Sequence, residues 1–448
     1  MEQALAPEKR IAGTSPNGPV IPALFFLSPL VTSAAPRLTW LFLLLIAVAF
    51  IVAFLRQGGD WRQLFQPNAV LIAFLVLAAY VFLSTTWAAD PRAAFEKSAI
   101  LLGTVLVTFA ASSALPALDE QQLRRATLAF AAGAFAGALF VIFELWSGGA
   151  ITRMALKTVT LLQPPTRAKI SAGEVMRIKT GAFRENAALV LFNLWPGLLA
   201  LGVIANRMRR IASATLFIIA TAIVVFLSER LSAQVALLGS MVTFPLARIG
   251  RRSFLNALAV LWCLVFVLVL PVSFSAYNAG LHTATWLPKD SARVRVIIWE
   301  YTAERVLEHP WFGIGASSTP ALRQPLEHSE RPEGFVYPRN TGRHAHNFFL
   351  QTWYELGLVG AILFAFAGAV LILRISLLPF EARPFAAATF ATVGTAAAFA
   401  TSMWQTWLDC SVGLLILYLR TAQSSSFSGS RDVQAVPDNA AVPRNARL

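Results

Sequence analysis

At 448 residues, 56% of them hydrophobic and only 13% charged, the chain is too apolar for a soluble domain, and it holds several runs of the roughly 20 apolar residues needed to cross a hydrocarbon core. Its net charge of +14 does not read as nucleic-acid binding, because no basic, aromatic-interleaved soluble segment exists to carry that function. Two cysteines, Cys263 in mid-span and Cys410 near the end of another span, exclude a disulfide framework and a cysteine-built metal site.

The fold class implied is an all-α membrane protein, since backbone groups in lipid must be satisfied within their own segment. Residues 1–21 are polar, contain Lys9 and Arg10, and read as a cytoplasmic N-terminal leader. Apolar segments follow near 20–35, 38–55, 68–87, 95–115, 124–146, 186–205, 209–228, 231–248, 254–274, 353–374, 385–407 and 409–420, which predicts about twelve transmembrane helices. The corresponding division is a transmembrane bundle over 22–274 with a basic loop at 147–185, a large, partly helical loop over 275–346, C-terminal spans over 347–420 and a disordered tail over 421–448. Basic residues set the orientation. With an inside N-terminus, the inside loops carry Arg56 with Arg62, Arg124 with Arg125, Arg207 with Arg209 and Arg210, Arg248 with Arg251 and Arg252, and Arg374 with Arg383. The short outside loops carry only Arg37, then Arg92 and Lys97, then Arg230. Both termini are therefore expected inside, and both long loops outside.

The long loops are where function is expected. Loop 147–185 sets Arg153, Lys157, Arg167, Lys169, Arg177, Lys179 and Arg184 against Glu174 and Glu185, an anion-seeking surface that equally suits anionic lipid headgroups. In loop 275–346, helical spacing predicts a helix over 291–308, ending before Pro310 and capped by Ser291. Arg295, Trp299 and Thr302 lie on one side of it, while Arg293 reads more plainly as a solvated helix end. Gly313-Ile314-Gly315 admits a phosphate cradle or a plain turn. Arg343-His344-Ala345-His346-Asn347 then opens the next apolar run. Three of the five histidines (His328, His344 and His346) lie within nineteen positions. An imidazole titrates at about 6.5 when unperturbed, so it can exchange protons near neutral pH; alternatively, such a segment is an interfacial polar cap.

Taken together, Arg295-x-x-x-Trp299, His309-Pro310-x-x-Gly313-x-Gly315, and His346-Asn347 followed by Gly357-x-x-Gly360 resemble the O-antigen ligase/polymerase superfamily. Trp87-Ala88-Ala89-Asp90-Pro91 and the many-span layout with one large outward loop fit the same family. The resemblance implies a metal-independent, inverting glycosyltransferase of the bacterial inner membrane with its active site facing the periplasm. The donor would be an undecaprenyl-diphosphate-linked glycan and the acceptor lipid A–core or another glycan, with membrane lipids as surroundings and neither cofactor nor nucleic acid involved. It assigns His346, Arg295 and Arg230 as catalytic. His344, Asn347, Arg343, Trp299, Arg293, Arg184 and Arg177 are candidates for substrate binding. The family's serine–arginine pair departs here to Ser228-Glu229-Arg230, which places Arg230 one position early.

The residues support this chemistry independently. A neutral His346 can act as base, and guanidinium pairs with phosphate in a bidentate way. The clustered carboxylates that would hold Mg²⁺ are missing, since there is no Asp-x-Asp and the large loop has only Asp290 and scattered glutamates. A transporter of the same glycan would place ionisable groups within spans, where this chain has few; Glu144 and Asp409 fall near span ends. A non-catalytic assembly partner would leave the histidine–arginine set unexplained.

Overall fold

Helix starts are marked by capping side chains. Asp90 accepts a hydrogen bond from the Ala93 amide at 3.0 Å and Pro91 follows at the first helical position. Asp119 and Gln122 form a reciprocal capping box. Asn68, Asn206 and Asn347 each accept from amides of the turn that follows them. The computed structural model describes residues 18–158, 168–171, 174–287, 290–322, 342–400 and 402–427. In chain order its helices are α1 (Val20–Ala34), α2 (Thr39–Arg56), α3 (Ala69–Leu83), α4 (Pro91–Ala114), α5 (Glu120–Ser147), α6 (Ala150–Thr158), α7 (Arg184–Phe192), α8 (Leu194–Leu201), α9 (Arg207–Leu227), α10 (Leu231–Asn278), α11 (Asp290–Val306), α12 (Phe348–Ile375), α13 (Arg383–Ala400) and α14 (Thr406–Phe427).

This is the all-α architecture of a multi-pass membrane protein. Among the described residues seven helices are long and apolar enough to cross a membrane, namely α2, α3, α4, α5, α9, α10 and α12. The other expected spans are shorter or divided. The first is α1, only 15 residues with Pro29 inside it. The segment 186–205 divides at Asn193 into α7 and α8. The segment 385–407 stops at Ala400, and α14 continues to Phe427, past the residue 421 at which the sequence places the start of a disordered tail. Part of that extension is held against the bundle, since Ala422 and Ser425 are buried and Ser425 meets Thr127 of α5 at 3.0 Å. The N-terminal leader falls outside the described residues except for its last few positions, and residues 428–448 of the tail fall outside them as well.

Two long helices turn back on themselves. In α10, Arg251 leaves helical geometry with φ 49° and ψ −128°. Gly239 and Trp262 both pack against the same stretch of α13, at Thr395 and Gly394. In a straight helix they would be about 35 Å apart, so α10 is two antiparallel halves, matching the separate spans expected at 231–248 and 254–274. In α12 the break is at Gly357, φ 65° and ψ −165°. Phe348 and Phe364 lie with ring centroids 5.1 Å apart, where a straight helix would separate them by about 24 Å. The piece Phe348–Leu356 is therefore a short re-entrant half-helix, and the crossing expected at 353–374 belongs to the longer second half.

The main core joins α1, α2, α5 and α14 with α7 and α8. At its centre Tyr418 stacks on Phe130 with centroids 4.0 Å apart, meets Phe25 edge-on, and donates its hydroxyl to Ser28 at 2.7 Å. The basic loop 147–185 is no bare loop: it holds α6 and an antiparallel hairpin, β1 (Ala168–Ser171) with β2 (Glu174–Ile178), pairing Ala168 with Ile178. Glu144 anchors it, accepting from the amides of Ile151 at 2.8 Å and Thr152 at 3.0 Å and from the Thr152 hydroxyl. This buried acid at the end of α5 thus caps α6.

Candidate active site

Helix α11 contributes one wall. Spacings of four and three residues put Arg295, Trp299 and Thr302 on one side of it. Trp299 donates its indole N–H to the carbonyl of Ala345 at 3.0 Å. Arg295 is one turn earlier, about 6 Å along the axis from that contact. Arg293, half-buried, is two positions from Arg295 and so faces another side of the helix. Because α11 starts at Asp290, Ser291 lies within its first turn instead of capping it. The ordering of α11 over 290–306 otherwise follows the spacing of its apolar residues.

The histidine segment is fixed from both sides. Ala345 is buried and tied to Trp299, and Asn347 caps α12 by accepting from the amides of Phe349 at 3.0 Å and Leu350 at 3.2 Å. Between these anchors His346 takes a left-handed backbone, φ 52°, a conformation that costs a side-chain-bearing residue roughly 1–2 kcal/mol. The rings of His344 and His346 lie 3.9 Å apart at 57°. Burial pushes the His344 imidazole down to about 4, so it is neutral at physiological pH. Asn347 thus has a structural task that the sequence reading, which gave it to substrate, did not foresee. Arg343 is exposed beside His344.

Three arginines from distant segments meet near α11. Arg230, at the start of α10, donates from Nη1 to the carbonyl of Arg184 and from Nε to the hydroxyl of Ser232 at 3.0 Å. Arg184 opens α7, whose Asn186 donates to the carbonyls of Ser33 and Ala34 at 2.9 Å each, binding α7 to the end of α1. Burial, then the positive charge of Arg184, lowers the Arg230 guanidinium to about 10; Glu185 opposes this, and Arg295 adds to it. Arg295 is lowered by burial and by Arg184. The Glu185 carboxyl is raised by burial, against the fields of Arg37 and Arg230. Arg37 and Glu185 are members of this cluster that the sequence reading missed. Arg37 was visible only as a loop cation, because its proximity depends on how α1 and α7 dock. Arg230 and Arg295 are half-buried and Arg184 is exposed; guanidiniums that raise one another's energy form a site that an anion relieves. Arg177 stands apart from these contacts: it is exposed on β2, opposite Lys169, with its stem against Gly148.

A third component supports the histidines from below. The break at Gly357 frees carbonyls at the end of the half-helix and amides at the start of the longer half. The loop after α11 satisfies both. Ile314 donates to Tyr354 at 3.1 Å and Gly315 to Glu355 at 2.8 Å, while Leu358 donates to Pro310 at 2.8 Å and Val359 to Trp311 at 3.2 Å. Such backbone accounting is what a buried irregular segment requires. Gly313 and Gly357 meet backbone to backbone; a Cβ on either would lie 2.4 Å from the other's neighbours. The phosphate-cradle reading of Gly313-x-Gly315 is thereby overturned, since the amides of residues 313–315 are engaged by His309, Tyr354 and Glu355. The loop rests on Trp87–Pro91: Ala89 donates to the Ser318 hydroxyl at 2.9 Å, and Ala316 to the Ser84 hydroxyl at 3.2 Å. The family-like segments thus build one socket. Among the described residues no three His, Cys, Asp or Glu side chains gather as metal ligands. His328 lies outside the described residues.

The sequence profile of a family described as O-antigen ligase matches residues 215–365, a stretch holding Arg230, Arg295, both site histidines and the Gly357 break. Over that stretch the chain is similar to the O-antigen ligase family. A protein of Rickettsia conorii, provisionally named a polysaccharide ligase, is 24% identical over 308 residues, 68% of this chain and 67% of that protein. The match spans the re-entrant half-helix and the loop after α11 that supports it, while Ser84 and Trp87–Pro91 of the socket lie outside it. Arg184 and Arg37 lie N-terminal to the matched stretch and are brought to it by folding alone.

Proposed function

We propose that this protein is an O-antigen ligase-like glycosyltransferase, moving an undecaprenyl-diphosphate-linked glycan onto lipid A–core at the periplasmic face of the bacterial inner membrane. On this reading the shorter apolar helices also cross, giving about twelve spans with both termini cytoplasmic. The observation that carries the proposal is the arrangement around α11: an arginine cluster drawn from three distant segments at one turn of the helix, and a histidine pair tied to the next.

In the reaction, His346 removes the proton from an acceptor hydroxyl. The freed oxygen attacks the anomeric carbon, the bond from that carbon to the diphosphate oxygen breaks, and the configuration inverts. Arg295, Arg230 and Arg184 bear on the diphosphate as it gains charge, where preorganised cations act most strongly. His344 orients His346 or the acceptor as a neutral ring. Trp299 sets the distance between the two halves of the site, and Arg343, Arg293 and Arg177 offer outlying positive charge to a glycan-bearing phosphate. Arginine takes the place that Mg²⁺ holds in other diphosphate-leaving reactions, so activity is expected to persist in EDTA; loss there would refute that assignment.

The decisive test is a deletion strain analysed by lipopolysaccharide gel. Loss of all long-chain bands while polymer still accumulates on the lipid carrier is the expected result. Survival of single-repeat caps without a ladder would identify a polymerase instead. Restoration of normal ladders by the H346A variant would refute the enzymatic reading.

A further inference from the structure

Glu355 is the one acid on the re-entrant half-helix, and the chemistry above makes no use of it. Its carboxylate is fully buried and accepts from five donors: the Ser317 amide at 2.7 Å, the Thr319 amide at 3.3 Å, the Thr319 hydroxyl, the Gln351 side-chain amide at 3.1 Å and the Trp404 indole. Four of the five are N–H groups that can only donate, so the carboxyl oxygens meet them as acceptors, and the Thr319 hydroxyl completes the set. The donors come from three separate segments: the loop after α11, the half-helix itself, and the connection between α13 and α14. Gln351 extends the same network, accepting from the Met403 amide at 3.2 Å and donating to the Ser402 hydroxyl at 3.2 Å. His346 lies at the opposite end of this half-helix, just before its Asn347 cap. A rigid rod of two and a half turns, pinned at its base, transmits both depth and rotation to its mouth.

We propose that Glu355 is a positioning residue of the transfer reaction, a hydrogen-bonded anchor that fixes the height and rotation of the Phe348–Leu356 half-helix and thereby the place of His346. This rests on the reading of His346 as the base. Its signature separates it from mere stability: the arginine cluster is built on α7, α10 and α11, outside the Glu355 network, so loosening the anchor leaves anion binding intact while turnover falls.

The experiment compares wild type, E355Q, T319V, W404F and H346A, purified in detergent. Affinity is measured for inorganic pyrophosphate as the probe of the arginine cluster. Transfer rate is measured in membranes of the deletion strain, which supply the native donor and acceptor. E355Q keeps the shape but turns one acceptor oxygen into a donor facing donors; T319V and W404F each remove one donor and test the same network should E355Q fail to fold. The expected result is pyrophosphate affinity within twofold of wild type in all of them, with transfer reduced tenfold or more in E355Q and severalfold in T319V or W404F. Transfer within twofold of wild type in E355Q, or in both T319V and W404F, overturns the assignment, as does parallel loss of pyrophosphate binding and transfer. H346A distinguishes the two levels: transfer surviving in H346A removes the functional reading itself, whereas loss in H346A with full rates in the network variants removes only the role of Glu355.

Discussion

At the scale of single residues, the site separates charges that must stay from one that must stay absent. Arg230 and Arg295 are partly buried and repel each other, so an anionic leaving group is the partner that makes their burial favourable. Replacing either by alanine is expected to slow glycan transfer roughly a hundredfold, about 3 kcal/mol of barrier, read as initial rates at matched protein levels. Lysine at these positions keeps the charge but loses the planar fork, and is expected to restore only part of the rate. His344 is the contrasting case. Burial pushes its imidazole down to about 4 in the folded protein, from the ordinary 6.5. Between those values the unfolded chain binds more protons than the folded one, so stability rises with pH through this window and is lost as pH falls from about 6.5 toward 4. The melting temperature of H344N should therefore depend less on pH between 7 and 5 than that of wild type. An unchanged slope would show that burial of His344 does not carry this dependence. The residues proposed for the chemistry stand out in the sequence, as an imidazole beside an apolar run and guanidiniums in the long loops and beside them. Their companions do not: Arg37 and Glu185 meet only because Asn186 fastens α7 to the end of α1.

At the scale of elements, the half-helix Phe348–Leu356 and the loop that supports it are the structural invention of this site. Both Gly313 and Gly357 have positive φ and face each other's backbone, so alanine at either meets strain and collision together. G313A and G357A are each expected to lower stability by about 2–4 kcal/mol, or to abolish accumulation in the membrane, checked by thermal melting in detergent and by immunoblot. Trp299→Phe keeps an aromatic side chain, smaller than the indole, and loses the hydrogen bond to Ala345, which itself contributes about 1 kcal/mol to stability. Its larger effect should be on transfer, because that bond couples α11 to the histidine segment. The sequence made α11 legible through its 3.6-residue spacing, and made the reversal at Arg251 legible through the basic residues that interrupt two apolar runs. It concealed the break at Gly357, because the apolar run continues unbroken across it. What permits that break is a set of hydrogen bonds to residues forty or more positions upstream, which no local pattern records.

At the scale of the whole molecule, the proposed topology makes one claim about sidedness. On it, Arg56, Arg124, Arg209, Arg252 and Arg374 mark the ends that the positive-inside rule assigns to the cytoplasm, and His346 belongs to the opposite side. Single cysteines placed at Arg343 and at Arg209 in a chain lacking Cys263 and Cys410 should react with a membrane-impermeant maleimide only at the first position in intact cells; labelling at Arg209 alone would invert the topology. The apolar core of α1, α2, α5 and α14 is the platform against which the site elements are set, and Tyr418 at its centre is expected to be costly to truncate, about 3–5 kcal/mol for alanine. The account depends most of all on His346. The most direct measurement is transfer of the lipid-linked glycan by purified H346A in parallel with its affinity for inorganic pyrophosphate. The prediction is loss of transfer with anion binding retained; transfer at the wild-type rate would contradict it.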